Sequence, residues 1–263
     1  MRQDVKNFYE AYPYPQLPIK TKEDLLSKMH GNVMKEILAT TGKDAAYFAG
    51  KNVLEAGCGT GEKCVYFALH SANVSGVDIS DASLSHGRAL AKKFKVAVSF
   101  SNADVLSFDA KKKFDYIYSL GVLHHTENPK KGFCNIVKML KKGGIITIGL
   151  YSKSGRLFHR LHRAQIALFA GKNPKERMEY IEKHIYGRKL RAGVEEAYVA
   201  DKYAHPYESY HTVGEVLEWF RENGIEPIGC HPACKPGFGS RKLEQLNWLL
   251  KRKTFFVLSG RKL

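Results

Sequence analysis

Apolar positions along the chain follow two different periods. Between residues 51 and 151, short apolar runs at 53–56, 74–79, 96–101, 114–120 and 145–151 each end in a glycine or a polar turn. Longer segments separate them, with apolar residues recurring every three or four positions. Short runs bounded by turn residues read as strands and the longer period as helix, so this region predicts a doubly wound, mostly parallel sheet. The helix boundaries carry their own signals. A helix over 62–71 follows the first strand, and Ser80 or Asp81 caps the second. Asn128-Pro129 opens another with proline at its first position, and Leu140-Lys141-Lys142-Gly143-Gly144 reads as a helix stop.

The flanks read differently. Residues 1–50 form an arm whose Phe8-Tyr9-Glu10-Ala11-Tyr12-Pro13-Tyr14-Pro15 cannot continue a regular helix beyond Ala11. Thr21 with Asp24 has the pattern of a capping box. Leu25, Leu26, Met29, Val33, Ile37 and Leu38 then recur on one helical face. After residue 151 more than 70 residues pass before the next strand, at 225–229, too many for one crossover. Helical patterns at 156–170, 174–190 and 212–222 predict a helical cap over 152–215, inserted near the carboxyl edge of the sheet. Residues 216–263 complete the core, ending in a strand at 254–260.

Length and composition narrow the class. A chain of 263 residues allows one large domain, or a domain with a sizeable insertion, around a real core. Residues 1–7 lack the apolar centre of a signal peptide, and no apolar run is long enough to span a membrane. Five cysteines at irregular spacing suit reduced thiols in a cytoplasmic protein. Cys230-His231-Pro232-Ala233-Cys234 offers half of a zinc site, but no second cysteine pair completes it, which favours a plain loop.

The candidate chemistry sits at the strand ends. The first strand runs through Glu55 into Gly57, Cys58, Gly59 and Gly61, a turn in which backbone can approach a ligand closely. A dinucleotide fingerprint begun at Gly57 needs glycine at 62, where this chain has Glu62, which disfavours a nicotinamide-dependent oxidoreductase. Asp78 ends the second strand, 21 residues after Gly57, close to the separation of ~20 at which a carboxylate meets a ribose. Asn102-Ala103-Asp104 follows the third strand and Gly121-Val122-Leu123-His124-His125 the fourth.

In order and spacing these segments resemble the class I S-adenosylmethionine (SAM) dependent methyltransferases. The resemblance implies a Rossmann-like α/β sheet of about seven strands with an antiparallel edge strand. It implies SAM as cofactor and S-adenosyl-L-homocysteine as product. On it, Gly57, Gly59 and Gly61 wrap the methionyl part, Cys58 among them also binds cofactor, and Glu55 braces the loop or the amino group. Asp78 takes the ribose hydroxyls, Ile79 packs on the adenine, Asp104 takes its amino group, Leu120 and Gly121 line the floor, and Val105 is a further cofactor-binding residue. The arm and the 149–152 segment also look like methyltransferase domains joined to tetratricopeptide repeats, although no repeat occurs here.

For a general base, His124 and His125 follow the strand that faces the acceptor in this family, and one of the pair is expected to be a packed or capping residue. Tyr151, His205, Tyr207 and His211 are further candidates, and Tyr12 and Tyr14 are either a lid or ordinary packing. The formal charge of +16 attracts polyanions. Residues 153–191 hold 11 Lys/Arg against 3 Asp/Glu, a net of +8. There Arg156, Arg160 and Arg163 lie beside Leu157, Phe158, Leu161 and Leu168, a pattern that docks on acidic membranes. Arg241, Lys242 and Lys251-Arg252-Lys253, interleaved with Trp248, Phe255 and Phe256, would suit RNA, and both patterns also suit a solvated basic surface. The expectation is methyl transfer to a small or lipid-like acceptor. The alternatives are an RNA or protein acceptor, or a SAM-binding protein that transfers no methyl.

Overall fold

A computed structural model describes residues 2–27, 29–233 and 246–263. The strands are β1 (Asn52–Ala56), β2 (Asn73–Asp78), β3 (Val98–Asn102), β4 (Phe114–Leu120), β5 (Leu140–Tyr151), β6 (Ile225–His231) and β7 (Phe255–Lys262). They form one sheet in the order β3-β2-β1-β4-β5-β7-β6. β1 to β5 pair in parallel, whereas β7 runs antiparallel to both β5 and β6. The mixed sheet matches the expected fold, with the antiparallel strand one place in from the edge. Burial explains the placement. Phe256 to Gly260 of β7 are buried, as an interior strand requires, whereas β6 exposes Glu226 and Pro227 and its register shifts there. Proline lacks a ladder donor and is tolerated at an edge.

The helices before the cap are α1 (Gln3–Ala11), α2 (Lys22–Leu26), α3 (Met29–Ala39), α4 (Glu62–Leu69), α5 (Asp81–Phe94) and α6 (Pro129–Lys138). The cap contributes α7 (Leu157–Ala170), α8 (Pro174–Ile181) and α9 (Val194–Val199), and α10 (Val213–Glu222) returns to the sheet. The central strands β1 and β4 are buried on both faces. Tyr116 and Tyr118 stack into a layer with Phe48 and Phe67, while Phe114 and Ile117 face Phe133, Phe220 and Phe256. Each such side chain contributes about 1.5–3 kcal/mol on burial.

Local signals hold where the chemistry is short-ranged. Ser80 Oγ accepts from Ser83 N at 3.0 Å, Asn128 caps α6 ahead of Pro129, and Thr21 with Asp24 forms the capping box. α1 ends at Ala11. Three expectations change. The single helix after Thr21 breaks into α2 and α3, and only glycine fits at position 31, where a Cβ would stand 2.3 Å from the Leu26 carbonyl oxygen. The break rotates α3, so Met34 is buried and Val33 is 48% exposed. The helix stops at Lys138, and Leu140 to Gly144, read as its stop, instead begin β5. Residues 194–204, given no element by the sequence pattern, form α9 and one wider turn.

The arm packs into the cap. Phe8 joins Ile166, Met178, Ile181 and Val199 in a separate small core. Glu10 caps α5, accepting from Asp81 N at 2.8 Å and Ala82 N at 3.0 Å. Among the described residues no helix is long and apolar enough to cross a membrane, and no cluster suits a metal ion. Cys234, Arg241 and Lys242 lie outside the described residues.

Candidate functional site

The carboxyl ends of β1, β2, β3 and β4 open onto a cavity of about 430 Å³, within the size range of small-molecule sites. Its construction begins with the turn after β1. The amides of Gly57 and Cys58 both donate to the Val77 carbonyl, at 2.7 and 2.9 Å, which bends the chain back over β2. The Asp78 carboxylate is then held by Gly59 N at 2.8 Å and Ser80 N at 3.0 Å. Burial pushes its pKa up and these amides pull against that. Asp78 pairs in register with Asn102, which brings the turn bearing Asp104 alongside. Asp104 accepts from Leu106 N at 2.9 Å.

Nine of the expected site residues line this cavity: Gly57, Cys58, Gly59, Asp78, Ile79, Asp104, Val105, Leu120 and His125. Glu55, Gly61 and His124 are not in its wall. Gly61 enters α4 with its Cα face against Gly87 and Phe100, packed between elements. Glu55 lies wholly buried behind the loop, with Lys63 Nζ at 3.0 Å and the Cys64 thiol and Tyr118 hydroxyl each at 3.0 Å. That arrangement braces the loop. Lys63 itself reaches the cavity. Burial works against its ammonium, but Glu55 and then Glu62 outweigh it and raise its pKa, so the charge is kept.

The arm closes one side of the cavity. The backbone of residues 14–17 lies on the glycine turn, with Thr60 N donating to Tyr14 O at 3.2 Å and Gln16 N to Thr60 Oγ1 at 3.0 Å. Leu17 N donates to Glu62 Oε1 at 3.0 Å. Gly59 has φ +52°, and a Cβ there would sit 2.3 Å from the Tyr14 carbonyl oxygen. Tyr14 and Tyr9 therefore form wall, whereas Tyr12 packs into the cap core.

At the far end the two histidines separate. His125 Nδ1 donates to the Tyr207 carbonyl at 2.9 Å, which leaves the lone pair on Nε2. That nitrogen is buried without a partner among the described residues. Burial lowers the His125 pKa to about 3, against the pull of the Tyr207 carbonyl, with Arg156 and Arg163 adding to the drop. His124 accepts from Tyr151 N through Nδ1 at 3.4 Å and stacks on the Tyr151 ring, centroids 3.7 Å apart, outside the cavity wall. Of the other candidates, Tyr151 lines the cavity, Tyr207 supplies its backbone carbonyl, and the His205 ring lies tilted against His125, centroids 3.8 Å apart. His211 is turned to Glu215, 3.0 Å away.

Asp201, from the cap, also lines this end and accepts from the Tyr9 hydroxyl at 3.0 Å. Burial raises its pKa to about 6. No motif pointed to Asp201 or Lys63. Lys63 lies two residues beyond Gly61, and only its proximity to the glycine turn could have found it.

The basic surface is thinner than expected. Arg156 and Arg163 are buried, reaching Glu208 at 3.2 and 3.3 Å, and Arg156 lies over the Tyr151 ring at 3.4 Å. Trp248 and Phe256 are core residues, and Phe255 faces the cavity.

Comparison with known proteins follows this geometry. A family described as a methyltransferase domain matches residues 48–224. An uncharacterized protein of Synechococcus is 28% identical over 251 residues, covering 86% of this chain and 59% of that protein. A ubiquinone biosynthesis O-methyltransferase of Rickettsia conorii is 26% identical over 106 residues, 40% of this chain and 37% of its own length. The chain thus spans less than two thirds of these relatives. Among solved structures, magnesium protoporphyrin IX methyltransferase of Synechocystis PCC 6803, with bound S-adenosylhomocysteine, superposes with a TM-score of 0.61 over 99% of both chains. At 15% identity that likeness is one of fold.

Proposed function

This chain belongs to the family of SAM-dependent methyltransferases, and from that premise we propose that it methylates a hydroxyl oxygen of a small or lipid-like acceptor. The observation that carries the choice of atom is the free Nε2 lone pair of His125 at the cavity end away from the glycine turn.

The walls fit the cofactor. Gly121, with φ +79°, lines the cavity, and a Cβ there would meet nothing within 4 Å, so the floor is open. Asp78 would hold the ribose hydroxyls, Ile79 and Val105 would pack about the adenine, and Asp104 would take its amino group. Gly57, Cys58 and Gly59 would accommodate the methionyl part, and Lys63 would face its carboxylate. SAM, when bound, supplies an activated methyl on a sulfonium. The chain's own work is to position the acceptor, exclude water and accept a proton. Tyr9, Tyr14 and the arm exclude water. Tyr207 fixes the His125 tautomer, and burial keeps the ring neutral, so Nε2 can accept the hydroxyl proton. A weak base suffices, because a hydroxyl oxygen gaining a methyl becomes a far stronger acid than an imidazolium. His124 positions Tyr151 and need not touch the acceptor.

An RNA or protein acceptor has less support, since Trp248 and Phe256, two of the three aromatics that suggested RNA stacking, are buried in the core. The test is transfer of labelled methyl to a panel of apolar phenols, amines and carboxylates. Label on phenols, with turnover cut about a hundredfold or more in His125→Ala and SAM affinity kept, is the expected result. Label confined to amines or carboxylates, or full turnover in His125→Ala, would remove the hydroxyl reading. SAM binding without any transfer would favour a non-methylating protein.

A further inference from the structure

Helix α7 is amphipathic in the reverse sense for a protein surface. Its inward side carries Arg163 and Ile166, while Leu157, Leu161, Ala164 and Leu168 follow one another at helical spacing on the outward side. Phe158 and Phe169 flank that stripe, and Leu161, Phe169 and Leu168 are 61, 62 and 79% exposed. A contiguous exposed apolar patch of this kind marks an interaction surface. The helix contains no Asp or Glu, Arg160 borders the stripe, and Lys172 and Lys175 are exposed just beyond its end.

The charge selects the occupant. With the buried Arg156, Arg163 and Arg177 set aside, the exposed residues of 153–191 still include eight Lys/Arg against Glu176 and Glu179, so a second copy would bring like charge against like. A nucleic acid would match the charge and leave the leucines uncovered. An anionic bilayer satisfies both, with acyl chains for the stripe and headgroups for the basic rim. The start of α7 is also tied to the acceptor end of the cavity. Arg156, immediately before it, lies over cavity-lining Tyr151, and Arg252 lies over the Phe158 ring at 5.3 Å, three residues before cavity-lining Phe255.

We propose that α7 lies in the surface of an anionic membrane, stripe inward, and that an apolar acceptor enters the cavity from there. The docking rests on the α7 surface alone; only the delivery of an acceptor rests on the methyltransferase reading.

Co-sedimentation of the full chain with phosphatidylcholine vesicles, with and without phosphatidylglycerol, tests it. Binding is expected to the anionic vesicles only and to weaken as salt is raised. Leu161→Glu with Leu168→Glu should cut partitioning about tenfold per leucine and leave SAM affinity unchanged, which also verifies the fold. No sedimentation would overturn the proposal, as would undiminished binding by the double variant. So would a solution dimer that Leu161→Glu dissociates, or salt-sensitive RNA binding in preference to vesicles. Failure of the methyltransferase reading would appear separately, as absent SAM binding by a chain that still sediments.

Discussion

Glu62 and Lys63, neighbours at the start of α4, face opposite ways and serve different parts. Glu62 turns to the arm and accepts from Leu17 N and Thr60 Oγ1. Lys63 turns to Glu55 and the cavity. With Glu55 already neutralised by an ammonium of the chain itself, the wall presents a cation suited to a cofactor carboxylate. Lys63→Met alone would strand a buried Glu55 and cost several kcal/mol, so the informative variant is Glu55→Gln with Lys63→Met. We expect it to fold and to bind SAM about tenfold or more weaker, the loss of one charged hydrogen bond. Calorimetry with decarboxylated SAM is the check: the native chain should discriminate against it and the variant should not. Equal discrimination in both would place the carboxylate elsewhere. Asp78, by contrast, was readable from the sequence, because a strand end and a spacing from the glycine turn determine where it lies.

At the scale of elements, capping chemistry was legible and relations between elements were not. Ser80, Asn128 and Thr21 act within three residues of themselves, so their roles follow from local sequence. The break at residue 27 depends on Gly31 meeting Leu26, and α9 depends on Val199 and Ala200 finding the small core around Phe8. Neither contact has a local signature. The arm is likewise an element whose aromatic run was visible and whose docking was not. Its attachment through Glu62 predicts that Glu62→Ala releases residues 14–17, at a cost of about 1–3 kcal/mol. Hydrogen exchange at Gln16 and Leu17 should then speed up and SAM dissociate faster. Unchanged exchange would show that the cap contacts of Phe8 suffice to hold the arm.

For the whole molecule, burial of ionisable groups predicts acid sensitivity. His124, His125 and His205 are buried with pKa values lowered from 6.5 by desolvation first, His125 to about 3. Each stays neutral in the fold and takes a proton in the unfolded chain, so its contribution is complete above pH 6.5 and is lost as the pH falls. Asp201 acts in reverse: with its pKa raised by burial from 3.8 to about 6, it lowers stability as the pH rises through that window. His30 and His159, lowered to about 4 and 3, act with His124, His125 and His205, while the raised Glu55 and Asp78 act with Asp201, so the histidines outnumber the carboxylates and stability should fall as the pH drops from 6 to 4. Denaturant titrations across that range measure the slope, and a flat profile would contradict the burial of these rings. By itself the sequence determined the strand order of chemistry: which turns carry glycine, carboxylate and histidine, hence the family and the fold, because those depend on spacing and period along the chain. The tertiary structure alone decided which charges are buried, that the Tyr207 carbonyl leaves the His125 lone pair on Nε2, and that Lys63 and Asp201 reach the cavity. Those properties depend on what lies across space from each side chain, and distances along the chain do not encode them.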